Sequence, residues 1–206
     1  MNAQASKRCS IVAGATATFL ERGYAGATMS HIARSAQASK QTVYNQFGSK
    51  ESLFEAAVSD LWSRFEALPD RTPGDNLDSP RAAMMALGCA IADFWSSPAV
   101  VPFLRMVVAE TPRFPDLKRM FSQCATSRIV GLITRLLRRL TERGLLGIHE
   151  PDLAALQWLG LLSQPLLWSQ VIDMGYRPSR DDHEKLVGQS VDMFLGYYGV
   201  RSIAGA

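Results

Sequence analysis

The chain has 206 residues, 47% of them hydrophobic and 20% charged, enough to bury a sizeable core and inconsistent with a disordered or fibrous protein. Its formal charge of +3 is too small to imply nucleic acid by itself. The charge is unevenly spread, however: residues 1–54 hold six Lys/Arg against Glu21 and Glu51, a net of +4, which leaves 16 basic and 17 acidic groups on the other 152 residues and concentrates the positive field near the N-terminus.

The first expected helix carries Ile11, Val12, Ala15, Phe19 and Leu20 on one face and stops at Glu21-Arg22-Gly23-Tyr24. Thr28 then caps a short helix with Ile32, Ala33 and Ala36 on its inner face. Gln37-Ala38-Ser39 is a polar break, and Ser39 caps a second short helix, Lys40 to Phe47. Val43 and Phe47, four apart, turn inward and leave Lys40, Gln41, Thr42, Tyr44 and Asn45 to project outward. A helix with that surface fits the major groove, where amides and hydroxyls read base edges and a lysine holds phosphates. Ser49 caps a further helix whose first residue, Lys50, lies at the positive end of the helix dipole, a favourable place for a phosphate. Two short helices around a polar turn also occur in helical cores with no nucleic-acid role.

Punctuation divides the remainder. A helix from Lys50 to Leu68 ends at Pro69, and Asp70 to Asn76 reads as a polar linker. Ser79-Pro80 opens a helix reaching Ser96, and Pro98 or Pro102 opens another ending near Glu110. A long helix from Pro115 to Arg143 carries Ile129, Leu132, Ile133, Leu136, Leu137 and Leu140 at helical spacing and stops at Gly144. The next runs from Pro151 to Met174, with Pro165 inside it freeing the carbonyl of Leu161 and bending the axis. The last runs from Ser179 to Tyr198, with Asp181, Asp182 and Glu184 in its first turns and Gly199 at its end. No strand-like alternation and no fixed-period repeat occurs, so the expected fold is all-α with about nine helices.

The segment FLERGYAGATMSHIA followed by SKQTVYNQFGSKESLF resembles the N-terminal domain of the TetR family of transcriptional regulators over roughly residues 7–60. Glu110 to Leu117, preceded by Ala109, resembles the A-E-x-x-R-F-P-x-L stretch of the AefR-like subgroup. The resemblance implies a helix-turn-helix DNA-binding domain over residues 1–54 and a helical ligand-binding and dimerisation domain over 55–206. It also implies DNA contacts, mainly to phosphates, from Thr28, Ser39, Lys40, Thr42, Tyr44 and Lys50. Gln41 and Asn45 stand at positions that vary within the family and are the candidates for base contacts, with adenine N6/N7 their natural partner. Two departures stand out: Gln37 occupies a turn position where glycine is common, and Gln46 replaces a usual aromatic. A non-glycine residue at a position needing positive φ carries strain.

Residues 153–172 are apolar on nearly every side, with Leu156, Leu159, Gly160, Ser163 and Leu166 as one contact stripe; Leu186, Val187, Ser190, Val191, Phe194 and Leu195 form another. Either they are buried within one subunit or they build a four-helix bundle from two copies, and the resemblance favours a homodimer. Phe94, Trp95, Phe103, Met106, Phe121, Trp158 and Trp168, with Met84 and Met85, are ordinary core material, but in TetR-like domains the same helices enclose a ligand cavity. Asp93, Arg105, Gln157 and Gln164 supply polar groups beside them.

The expected function is therefore a ligand-responsive repressor, binding a partly palindromic double-stranded operator as a dimer and released by a small hydrophobic or aromatic effector. The rival is a helical protein-interaction module without DNA binding, which leaves the polar recognition helix unexplained. No enzyme is expected, since G-x-S-x-G, a P-loop, a Rossmann fingerprint and H-E-x-x-H are all missing from the sequence. No cofactor or metal is expected either: Cys9, Cys89 and Cys124 form no C-x-x-C pair, and His31, His149 and His183 lack ligand spacing. With no signal-like leader and no unbroken apolar run of membrane length, the expected location is cytoplasmic.

Overall fold

A computed structural model describes residues 3–66, 79–124 and 126–200. In chain order the helices are α1 (Ala3–Gly26), α2 (Met29–Ser35), α3 (Lys40–Phe47), α4 (Lys50–Glu66), α5 (Pro80–Trp95), α6 (Val100–Glu110), α7 (Asp116–Cys124), α8 (Thr126–Glu142), α9 (Pro151–Ser163), a π-helical turn (Gln164–Trp168), α10 (Ser169–Ile172) and α11 (Arg180–Tyr198). They form two compact units that interleave along the chain: residues 1–67 with 102–126, and residues 68–101 with 127–206.

The first unit closes α1 to α4 around Ile11, Ala15, Phe19, Ile32, Val43, Leu53, Phe54 and Val58, all fully buried. Each large apolar side chain so enclosed contributes about 1.5–3 kcal/mol. Gly14 lets α1 approach α2 closely, because a Cβ there would lie 2.9 Å from the Ala36 backbone nitrogen. Gly23, at φ 68° and ψ 172°, breaks α1 where the sequence predicts its end. α6 and α7 complete this unit. Phe103 stacks on Phe54 at 5.4 Å between centroids, and Leu117 and Met120 of α7 are buried.

In the second unit α5 and α11 cross closely at Gly88, where a Cβ would fall 2.5 Å from Val187 Cγ1. Ser79 caps α5 by accepting from the Ala82 amide, and Ser179 with Asp182 forms a reciprocal capping box at the start of α11. α8 contributes Ile129, Ile133, Leu136, Leu137 and Leu140 to the core, and α9 contributes Ala154, Ala155, Trp158 and Leu162.

The all-α architecture is as expected, with the helix expected over Pro151–Met174 interrupted. The helix expected over Pro115–Arg143 corresponds to α7 and α8, which lie on either side of Ala125, a residue outside those described. At Pro165 the chain widens into a π turn in place of a simple bend. The Ser169 amide donates to the Gln164 carbonyl and the Ser169 hydroxyl reaches the same oxygen at 3.1 Å. α6 opens at Val100, with Pro98 in the preceding turn and Pro102 inside the first helical turn. The expected stop at Pro69 and the linker Asp70–Asn76 lie outside the described residues. Among those described, no single helix is long and apolar enough to cross a membrane.

Candidate nucleic-acid interface

The two short helices are set by their caps. Thr28 Oγ1 accepts from the His31 amide at 3.2 Å and Ser39 Oγ from the Thr42 amide at 3.0 Å, each satisfying one of the unpaired donors at a helix start. Between them Gln37 has φ 47°, the left-handed region. The strain expected of a glutamine there is present, and Lys7 Nζ steadies the turn by donating to the Gln37 carbonyl at 2.8 Å.

On α3, Val43 and Phe47 are buried while Lys40, Gln41, Tyr44 and Asn45 are exposed and Thr42 is half-buried. Thr42 Oγ1 lies 2.7 Å from Ser39 Oγ, so the cap hydroxyls form one pair. Gln41 Nε2 donates to Asn45 Oδ1 at 2.8 Å, which leaves the outer Gln41 carbonyl and the Asn45 amino group to face a ligand. The Lys40 ammonium lies 5.8 Å from the Tyr44 ring.

Lys50 is placed differently from the other candidates. It is half-buried, donates to the Tyr24 carbonyl at 2.8 Å and lies 4.2 Å from the Tyr24 ring centroid. The neighbouring Glu51 accepts from the Tyr24 hydroxyl at 3.1 Å. Burial first, and then the Glu51 carboxylate, hold the Tyr24 phenol well above its ordinary pKa.

Sequence reasoning missed the role of the α1 N-terminus, where Lys7 and Arg8 counted only as charge. Arg8 stands 4.4 Å over the Phe47 ring and donates to the Gln46 carbonyl at 3.5 Å, which braces the end of α3. These contacts span 30 or more residues, and no local spacing announces them.

The seven residues named for a ligand pocket are divided. Phe103, Met106 and Phe121 belong to the first unit, and Phe94, Trp95, Trp158 and Trp168 to the second. Phe94, Trp95, Phe103 and Trp158 are buried, whereas Trp168 is exposed. Among the described residues, Trp158 carries a buried indole N–H with no hydrogen-bond partner. Two grooves of about 530 and 230 Å³ lie on the first unit, sharing Arg8, Ala56 and Ser59, and neither is lined by any of the seven.

Of the residues named for a dimer seam, Leu166, Val187, Ser190, Val191 and Phe194 are enclosed within the subunit itself. Leu156 is exposed, and Leu159 and Ser163 are half-buried. The exposed apolar side chains of the same helices are Leu153, Leu156, Met193 and Tyr197.

His183 bridges Asp93 Oδ1 at 3.2 Å and Ser96 Oγ at 3.1 Å, an arrangement outwardly like a hydrolase triad. It lacks the surroundings of one. The Ser96 and Ser97 amides donate to the Ala92 and Phe94 carbonyls, and Ser96 sits at the carbonyl end of α5, where developing negative charge is disfavoured. The constellation is a strut between α5 and α11.

Comparison with known proteins agrees with this architecture. Residues 11–57 match the family described as bacterial regulatory proteins, tetR family, and residues 82–200 match the C-terminal domain of AefR-like transcriptional repressors. A putative TetR-family transcriptional regulator from Mesorhizobium loti MAFF303099 is 28% identical, with a TM-score of 0.84 over 97% of this chain and 100% of its own. A TetR family transcriptional regulator from Pseudomonas syringae pv. tomato str. DC3000 is 27% identical, with a TM-score of 0.75 over 97% of this chain and 100% of its own. The flavonoid-responsive regulator FrrA is 24% identical, with a TM-score of 0.80 over 96% of this chain and 100% of its own. A search of the curated proteins gives no match. With both its helix-turn-helix segment and more than half of its length matched, the chain belongs to the TetR family of transcriptional regulators and carries an AefR-like C-terminal domain.

Proposed function

We propose that the protein is a ligand-responsive repressor whose dimer binds a partly palindromic operator through α3 of each copy. The observation that carries this reading is the division of α3 into a buried edge, Val43 and Phe47, and an exposed edge bearing Lys40, Gln41, Tyr44 and Asn45. Lys40, Tyr44, Thr28, Ser39, Thr42 and Lys50 hold phosphates, and the Gln41–Asn45 pair reads a base edge. Two such helices about 34–36 Å apart meet successive major grooves. The test is retardation of DNA from upstream of its own gene, with unrelated duplex as competitor; binding abolished equally by both would reduce the reader to a non-specific one.

The dimer forms through the outward faces of α9 and α11. Leu156 and Gly160 on one, and Met193, Gly196 and Tyr197 on the other, are all exposed, and both glycines face open space. The effector is a small hydrophobic or aromatic molecule, a class supported by the name of the flavonoid-responsive relative and by the unpaired Trp158 N–H, which an oxygen-bearing ligand satisfies. Effector and operator then oppose one another by the same factor in both directions. Titration of Trp fluorescence with flavonoids, with and without operator, measures that factor.

A further inference from the structure

The Ala109–Leu117 motif has no part in the function above, yet it holds the reader. Gly23 breaks α1, so the turn beyond it begins anew: the Ala27 amide returns to the Gly23 carbonyl at 3.2 Å, and the amides just after the break lose their helical acceptors. Glu110 supplies one. Its Oε1 accepts from the Ala25 amide at 3.2 Å across 85 residues of sequence, and a Cβ at Gly23 would lie 2.7 Å from the same oxygen. The corner that presents Glu110 is itself closed, with the Arg113 and Phe114 amides donating to the Glu110 carbonyl at 3.0 and 2.8 Å. Phe114 packs edge-on to Tyr24 at 5.1 Å, and the Lys50 ammonium lies 5.9 Å from the Phe114 ring.

We infer that Glu110 is a positioning residue for DNA binding, a side-chain cap that, with Phe114, fixes the end of α1 and the start of α4 beneath the recognition helix. All of these contacts lie within the first compact unit. The inference rests on the proposed operator binding, and its sign separates it from simple electrostatics. Removing a carboxylate near a DNA-binding face strengthens affinity for a polyanion, whereas losing the cap weakens it.

The test compares the full-length protein with Glu110→Gln, Glu110→Asp and Glu110→Ala. Gln keeps an acceptor without the charge; Asp keeps the charge but falls one methylene short. Binding to duplex from upstream of its own gene is measured against salt, with amide exchange over residues 24–26 and 50–53 followed in parallel. Ala and Asp should each lose about tenfold in affinity and raise exchange in both segments, while Gln binds at least as well as the wild type. The slope against salt should stay unchanged throughout, because no phosphate contact is removed. Wild-type affinity and exchange in the Ala and Asp variants, or a Gln variant as weak as Ala, would overturn the inference. If the wild type bound no duplex, the operator reading would fall, and unaltered exchange in the Ala variant would separately dispose of the cap.

Discussion

The Lys50 ammonium donates to the Tyr24 carbonyl at 2.8 Å and covers the Tyr24 ring at 4.2 Å, so the first residue of α4 is anchored to the end of α1. Lys40, by contrast, is exposed, with its ammonium 5.8 Å from the Tyr44 ring of its own helix. The two lysines therefore have separable effects. Lys40→Ala should weaken binding to every duplex and reduce the slope of log affinity against log salt by about 0.9, with little change in stability. Lys50→Ala should in addition lower unfolding free energy by about 1–3 kcal/mol, through the lost charged hydrogen bond and cation–π contact. Urea denaturation alongside salt-dependent binding distinguishes them.

Gln41 and Asn45 act as one unit because their amides are hydrogen-bonded. Each single Ala substitution should cost about 1–3 kcal/mol of operator affinity and relax the preference at particular base pairs. The double variant should cost clearly less than the sum, since either change alone frees the other amide. Strict additivity in a binding cycle would show that the pair reads separate bases.

The Tyr24 phenol has its pKa raised by burial and by Glu51. A folded-state pKa above the unfolded one means the folded protein holds this proton more tightly. The associated stability is fully present below about pH 10 and is lost as pH rises beyond it. Tyr24→Phe should therefore flatten the alkaline limb of the stability profile, at a cost of about 1 kcal/mol near neutrality for the lost Glu51 contact. Urea midpoints measured between about pH 8 and 11 for both proteins check this.

Gly88→Ala should destabilise the second unit by about 1–3 kcal/mol, because the new methyl would meet Val187 Cγ1 at 2.5 Å. Val187→Ala in the same chain should recover part of that loss by vacating the contested space, and a thermal melt of the two singles and the double measures the recovery.

Gln37→Gly should raise stability by about 0.5–1 kcal/mol, since glycine adopts φ 47° without the side-chain penalty. The Lys7 contact survives the change because it is made to the backbone carbonyl. A Tm equal to or below that of the wild type would show that the glutamine is not strained.

What the sequence made legible was local. Thr28, Ser39, Ser79 and Ser179 cap the helices whose starts they were expected to mark, because a cap acts within three residues. The outward face of α3 follows from helical spacing alone. The stripe Val187, Ser190, Val191 and Phe194 was harder, since apolar spacing is the same whether the covering surface is α5 and α9 of one subunit or a second copy. The closeness that Gly88 permits between α5 and α11, which sets Val187 against α5, is visible only in the fold. The Glu110–Ala25 and Lys7–Gln37 contacts depend on chain crossings that no window of residues contains.

The way the chain interleaves its two units constrains how such regulators can be cut and recombined. Phe54 stacks on Phe103, Tyr24 leans on Phe114, and the Ala25 amide is satisfied by Glu110, so a fragment ending after α4 would present raw aromatic surface and an unmet donor to water. A transplanted reader would need the α6–α7 corner carried with it, as a second insertion far downstream. Exchange of operator specificity by simple N-terminal fusion is thereby resisted, and the least disruptive route to a new operator is substitution along the exposed edge of α3.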